Sequence, residues 1–215
     1  MGSFSYRDFI QKLVYVVVDP LLRLFLRLHI TPNVVTVIGL LGNAVAAWLF
    51  VEAAFHIAAS PQEAASLTLW GGIVILLAGL FDMMDGRLAR LGGLSTKFGA
   101  LLDSTLDRYS ELLTLSGIAM LLLRAGDEWL WAGAMAFAAI TGSMMVSYVR
   151  ARAEGLGLDC KVGLMQRPER VVVTALAAIV SGITGSLVWL AAGMTVIAVL
   201  ANLTALWRIL YCRRQ

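Results

Sequence analysis

The chain has 215 residues, 60% of them hydrophobic and only 14% charged, with a mean hydropathy of +0.82. A soluble domain carries nearer to about a quarter charged residues, so a soluble globule is excluded. The composition and length point to an all-α, polytopic membrane protein of one domain or at most two, and no nucleic-acid partner is expected.

Residues 4–28 read as an amphipathic helix. Phe4, Phe9, Leu13, Val16, Leu21 and Phe25 stand against Arg7, Asp8, Lys12, Arg23 and Arg27, with Pro20 expected to bend it. Charges interrupt this stretch too often for a first membrane span. Residues 1–30 are therefore expected to lie in the interface, basic residues toward anionic headgroups. A charged, aromatic segment comes first, not a basic region with a cleavage site, so a signal peptide is not expected.

Residues 31–215 read as a transmembrane domain of six helices, at about 33–55, 67–91, 98–123, 129–152, 168–183 and 187–211, each judged against the roughly 20 residues a helical span needs. Thr31 can cap the first of these, with Pro32 in its first turn. The segment 56–66, with Pro61 in it, reads as a first far-side loop, and Ala125-Gly126-Asp127-Glu128 as a second. Trp129 and Trp131 follow it as interfacial aromatics would. Gly155 to Asp159 breaks the fourth span, and Pro168 opens the fifth.

With the N-terminus on one side, 16 of the 17 basic residues fall on that side and only Arg124 falls opposite. The positive-inside rule makes that side cytoplasmic, with both termini there. The expected location is the cell inner membrane or plasma membrane, multi-pass. Cys160 and Cys212 fall on the reducing face and read as unbonded thiols. His29 and His56 lie on opposite sides and form no metal pair.

The most telling stretch is DMMDGRLARLGGLSTKFGALLDSTLD, which holds Asp82, Asp85, Gly86, Ala89, Arg90, Gly99, Asp103 and Asp107. An isolated carboxylate at the bilayer centre costs about 3 kcal/mol, and four unpaired ones about 10 kcal/mol. Such a cluster needs bound positive charge. Asp82 and Asp85 are three apart, Asp103 and Asp107 four apart, so on helices each pair faces one side. Spans 2 and 3 run antiparallel through a short connection, which converges the four at the cytoplasmic ends. Magnesium takes a few carboxylates plus substrate phosphate oxygens, and two ions about 3.5–4 Å apart clamp displacements at phosphorus. Ion pairs with Arg87, Arg90 and Arg108 would explain one or two of the acids, but not four. Gly86, Ala89 and Gly99 taken singly are packing residues; in this spacing they leave room for a nucleotide.

These residues match D-x2-D-G-x2-A-R-x8-G-x3-D-x3-D at every defined position, and the chain resembles the CDP-alcohol phosphatidyltransferase family. The resemblance implies a six-span enzyme, a homodimer, that moves the phosphatidyl group from CDP-diacylglycerol to an alcohol and releases CMP. It implies that Asp82, Asp85 and Asp103 bind metal, that Asp107 completes the metal site, and that Asp107 is also the general base. Two divalent cations are implied, magnesium, with manganese as the alternative. Asn33, Thr36, Asp82, Asp85, Gly86, Ala89, Arg90 and Gly99 would line the CDP site.

The acceptor is read from a second basic cluster. Ser147-Tyr148-Val149-Arg150-Ala151-Arg152-Ala153-Glu154 ends span 4, and Arg167-Pro168-Glu169-Arg170 begins span 5. Positive-inside anchoring suffices for Lys161, Arg213 and Arg214. Four arginines near the metal site instead suit a phosphate, which the guanidinium fork binds bidentately. SYVRARAE followed by RPER is similar to the prokaryotic phosphatidylinositol-phosphate synthases, whose acceptor is inositol phosphate, although those enzymes usually carry lysine where this chain has Arg150. That resemblance implies a phosphate pocket of Ser147, Arg150, Arg152, Arg167 and Arg170, with Arg208 a weaker match. Glycerol 3-phosphate, the acceptor of a phosphatidylglycerophosphate synthase, is the alternative. A transporter would scatter its acids along several spans or show repeated, broken helices; here all four sit at one junction and no repeat is visible.

Overall fold

The computed structural model describes residues 18–213, and among them it is helical with no strand. Helix α1 covers residues 18–27. It is followed by α2 (Pro32–His56), α3 (Pro61–Leu91), α4 (Lys97–Arg124), a 3-10 turn (Asp127–Trp129), α5 (Leu130–Gly155), α6 (Arg167–Thr184) and α7 (Val188–Cys212). Of the expected interfacial helix, Phe4, Arg7, Asp8, Phe9, Lys12, Leu13 and Val16 lie outside the described residues.

One boundary and one cap differ from expectation for local reasons. Pro61 opens α3 instead of sitting in a loop, so the first connection shrinks to residues 57–60. Proline suits a first helical turn, where its missing N–H has no partner to lose. The Thr31 side chain makes no cap hydrogen bond; its carbonyl accepts the Val34 N–H at 3.1 Å. The side chain that does cap is Thr96, whose hydroxyl accepts the Gly99 N–H at 2.9 Å at the start of α4. Gly185, at φ +65°, ends α6 in the left-handed conformation that favours glycine.

Segments Pro32–His56, Pro61–Leu91, Asp127–Gly155 and Val188–Cys212 are long and apolar enough to cross a membrane. Helices α4 and α6 are absent from that set, and their charged residues explain it. Asp103, Asp107, Arg108 and Glu111 interrupt α4, while α6 has only 18 residues and begins Arg167-Pro168-Glu169-Arg170.

The six long helices pack as a closed ring: α2 on α4, α4 on α5, α5 on α7, α7 on α6, α6 on α3 and α3 back on α2. Close contacts need small residues, because lipid gives helices no hydrophobic reason to associate. A Cβ on Gly72 of α3 would sit 2.8 Å from the Ala175 carbonyl oxygen of α6, and one on Gly117 of α4 would sit 2.7 Å from the Ala47 oxygen of α2. Phe50, Leu115, Ile118, Leu122, Leu190, Met194 and Ile197 fill the interior among alanines. Trp48, Trp70, Trp131 and Trp189 are exposed on the outside, whereas Trp129 packs against the core.

Helix α1 buries Leu22 completely against Val35, Met84 and Leu88, with Val18, Phe25 and Leu26 beside it. The inward face is thus set by Leu22, not by the exposed Leu21. Arg87 clasps Asp19 with both prongs, Nε to Oδ1 at 3.1 Å and Nη2 to Oδ2 at 3.0 Å. That hydrogen-bonded pair holds the Asp19 carboxyl below its usual range. Both cysteines are free thiols. Burial pushes Cys160, in the α5–α6 connection, up to about 11, so it stays protonated at neutral pH.

If backbone approach at Gly72 holds α6 against α3, Gly72→Val overpacks the seam by about 1–3 kcal/mol. Thermal unfolding in detergent micelles should show a clear drop in midpoint. Gly155→Ala, where a Cβ meets nothing within 4 Å, should shift it little. Equal midpoints for the two variants would refute the close seam.

Candidate active site

The site forms where the end of α3, the start of α4 and the start of α6 meet. Asp82 and Asp85 sit near the end of α3, Asp103 and Asp107 in the first turns of α4, and Arg167 and Arg170 in the first turn of α6. The four carboxylates are close enough to act on one another electrostatically, Asp103 on Asp85 and Asp107, and Asp82 on all three others.

Arg167 reaches in among them. Arg167 Nη2 donates to Asp82 Oδ2 at 2.7 Å and lies 2.9 Å from Asp107 Oδ1, although the latter contact is outside hydrogen-bond geometry. Asp85 is buried; its Oδ1 accepts the Gly86 N–H, while its Oδ2 has no hydrogen-bond partner. Buried carboxylate oxygens without protein partners are unusual and fit a cation-binding role. Among the described residues no three His, Cys, Asp or Glu side chains are gathered tightly enough to hold a metal ion. The donor set nevertheless suits one: all-oxygen, anionic, and with Asp85 Oδ2 left over.

Arg170, one turn on, is engaged differently. Its Nε and Nη2 grip Glu111 at 2.5 and 2.8 Å and its Nη1 donates to the Met165 carbonyl at 3.0 Å, with the pair almost wholly buried. Glu111 escaped the sequence reading. Its signal was available: Asp103, Asp107 and Glu111 form one i, i+4 stripe on α4, and an acid in an apolar helix needs a partner.

A cleft on one side of the carboxylates is lined by Asn33, Thr36, Asp85, Gly86, Ala89, Arg90, Gly99 and Asp103, with Thr96 and Leu94 among the others. Every residue expected around CDP is there except Asp82. That residue lines a neighbouring cavity of about 20 Å³ with Asn43, Glu111, Thr114, Arg167, Arg170 and Thr174, room for about one water molecule. A Cβ on Gly86 would meet only Arg90 Nη1, at 3.5 Å, so packing does not demand glycine there. Gly99 is tighter: a Cβ there would sit 3.0 Å from Thr96 Oγ1 and 3.3 Å from Asn33 Oδ1. Gly39 is a further member: a Cβ there would sit 2.7 Å from Asp82 Oδ1. Thr36, Gly39 and Asn43, spaced by three and four on α2 and all buried, were its signal in the sequence.

The expected acceptor residues divide. Arg150 pairs with Glu154 at 2.9 Å on its own helix, Arg152 is exposed, and Ser147 is half-buried. Arg208 is buried, with Nε donating to Val162 O at 2.8 Å and Nη1 to Val146 O at 2.5 Å. It fastens the α5–α6 connection, as Thr204 does by accepting the Met165 N–H at 3.3 Å.

Removing one partner of a buried pair leaves an uncompensated charge and costs about 3–5 kcal/mol, whereas an apolar replacement of both is tolerated. Glu111→Gln should therefore destabilise the chain strongly in micelle unfolding, and Glu111→Leu with Arg170→Met should recover most of the loss. A double variant as weak as the single one would show that the pair does more than neutralise itself.

The CDP-alcohol phosphatidyltransferase pattern matches residues 29–207. The phosphatidylinositol phosphate synthase of Cutibacterium acnes is 37% identical over 168 residues, 78% of this chain and 74% of that one. That of Mycobacteroides abscessus is 35% identical over 192 residues, 89% and 81% of the two chains. The Mycobacterium tuberculosis phosphatidylinositol phosphate synthase with CDP-DAG bound superposes with a TM-score of 0.76 at 30% identity, covering 90% of this chain and 92% of that one. Its complex with manganese and citrate gives 0.78 at 30% identity, covering 90% and 88%. An aspartate junction, a small-residue cleft and a sequence match over nearly the whole chain agree: this protein belongs to the CDP-alcohol phosphatidyltransferase family.

Proposed function

We propose that the chain transfers the phosphatidyl group of CDP-diacylglycerol to inositol phosphate, giving phosphatidylinositol phosphate and CMP. The observation that carries this reading is the meeting of α3 and α4 carboxylates with α6 arginines beside a cleft lined by the motif residues. The names of the relatives support the same acceptor.

The cytidine diphosphate end of the donor lies in the cleft of Asn33, Thr36, Gly86, Ala89, Arg90 and Gly99, where small side chains leave space and Arg90 meets negative charge. Asp82, Asp85, Asp103 and Asp107 would hold divalent ions, two magnesium or manganese ions in this reading. When bound, such ions neutralise the diphosphate and the CMP leaving group. Arg150, Arg152 and Arg167 give the acceptor end its positive charge, with Ser147 and the protein-engaged Arg170 and Arg208 beside them. Asp107 accepts the proton of the inositol phosphate hydroxyl, whose oxygen bonds to the lipid-bearing phosphorus as the bond to CMP breaks. Six helices cross the membrane in this reading, with residues 1–30 in the interface, a homodimer as the assembly, and the active site and both termini cytoplasmic. Acyl chains then stay in lipid while headgroups reach the carboxylates.

Purified protein given CDP-diacylglycerol, magnesium and inositol phosphate should release CMP faster than with glycerol 3-phosphate. Turnover with glycerol 3-phosphate alone would replace the acceptor and spare the chemistry. Asp107→Asn should lower the rate by at least about a hundredfold while the chain stays folded, the range of a lost general base; near-normal rates in that variant would remove Asp107 from the role.

Arg152 is exposed and makes no contact that the fold needs, so Arg152→Ala should act on the acceptor alone. The loss of one charge-assisted hydrogen bond should raise the KM for inositol phosphate about tenfold. The KM for CDP-diacylglycerol should barely move. Equal rises for both substrates would argue against a dedicated phosphate site.

A further inference from the structure

Arg167 and Arg170 are three residues apart on α6, meet different acids, Asp82 and Asp107 for the first and Glu111 for the second, and are held in contrasting ways. Arg170 presents its fork to Glu111 and spends a third donor on Met165 O. Arg167 reaches two aspartates through a single nitrogen, Nη2, while its Nε–H is buried without an acceptor. A guanidinium binds an oxyanion best through Nε and Nη2 together. The Arg167 pose therefore neutralises charge without using its best geometry. A buried donor left unpaired favours any alternative that satisfies it.

Both carboxylates are among the four that would take a divalent ion. Arg167 and that ion compete for Asp82 and Asp107. A bound ion cancels the charge that holds Arg167, and the freed fork then has Nε and Nη2 available for a phosphate. The exchange has little against it sterically, since Arg167 is only partly buried, 23% exposed against 1% for Arg170. We propose that Arg167 is an exchangeable counter-cation: a divalent ion displaces it from Asp82 and Asp107, and the displaced guanidinium completes the site for the acceptor phosphate. Metal loading and acceptor binding are then coupled through one side chain. This rests on the metal and acceptor roles proposed above and adds their order, metal before acceptor.

Binding coupled in this way is reciprocal, so manganese must raise the affinity for inositol phosphate by the same factor that inositol phosphate raises it for manganese. The test needs no turnover. Binding of Mn2+ to the full chain in micelles is followed by the loss of the free-ion electron paramagnetic resonance signal, and binding of inositol phosphate by calorimetry, each with and without the other. In the unsubstituted chain the coupling factor should be about tenfold, within the usual range for linked sites. Arg167→Gln removes the competitor: Mn2+ should bind several-fold more tightly, inositol phosphate more weakly, and the coupling should vanish. Inositol phosphate affinity independent of Mn2+ in the unsubstituted chain overturns the exchange, even if Arg167→Gln does not fold. Mn2+ affinity unchanged or weaker in a folded Arg167→Gln does the same. Asp82→Asn and Asp107→Asn separate the two levels. If neither lowers Mn2+ binding, the carboxylate metal site itself is wrong; if both do while Arg167→Gln tightens nothing, only the exchange is wrong.

Discussion

Acids buried at the end of a membrane bundle persist only when positive charge is delivered to them, and the rest of this site follows from how that is done. Two arginines from the first turn of α6 supply it. Arg170 and Glu111 form a closed pair that satisfies both partners and fixes the start of α6 against α4. A pair of this kind contributes little net stability, because desolvation offsets most of its Coulombic gain. Its effect is positional: with Arg170 anchored, Arg167 is carried to within reach of Asp82 and Asp107.

The ring of helices makes that delivery possible. Helix α6 touches α3 and α7 and is joined to α5 by a connection that wanders over residues 156–166. Nothing regular in the backbone holds that connection. Side chains of α7 do so instead, Arg208 on Val162 O and Thr204 on Met165 N–H, while Gly157 and Gly163 take positive φ values that other residues rarely adopt. Arg208 thus shapes the segment that leads into Arg167. The close seams at Gly72 and Gly117 add the other requirement, backbones near enough for short side chains from three helices to converge.

Helix number and limits were largely legible, because long apolar stretches separated by Gly, Pro and charge leave few choices. The errors were local. Pro61 belongs to α3 because proline fits a first turn as well as a loop, and sequence alone does not say which. Leu22 replaced Leu21 on the inward face of α1 because the face depends on where α2 and α3 lie. The aspartate motif was legible through its spacing, and the cleft residues came together with it. Glu111 and Gly39 were not found, since no fixed pattern surrounded them. Each becomes visible only when its helix is placed beside a neighbour, Glu111 opposite Arg170 and Gly39 opposite Asp82. For the same reason Arg170 and Arg208, read from sequence as phosphate ligands, have most of their donors engaged by protein groups. Charge can be counted in a sequence, but whether a charge is already spent depends on the fold.

The carboxylates divide the site into two unlike sides. Asp85 and Asp103 face the cleft with the small residues of the motif, and Asp82 faces the polar cavity with Arg167, Arg170 and Glu111. Asp82 and Asp85 are three positions apart on one helix, about 60° apart around its axis, so they share a face of α3 while lining adjoining chambers. Displacement at phosphorus proceeds with the attacking and leaving oxygens roughly in line. In the proposed reaction the nucleotide leaves through the cleft, so the attacking hydroxyl has to come from the arginine side. A row of acids between the motif-lined cleft and a guanidinium cluster would meet that requirement with the helix ends alone. It also accounts for α4 and α6 being the least apolar of the six long helices: they carry the charged residues that face each other across the row.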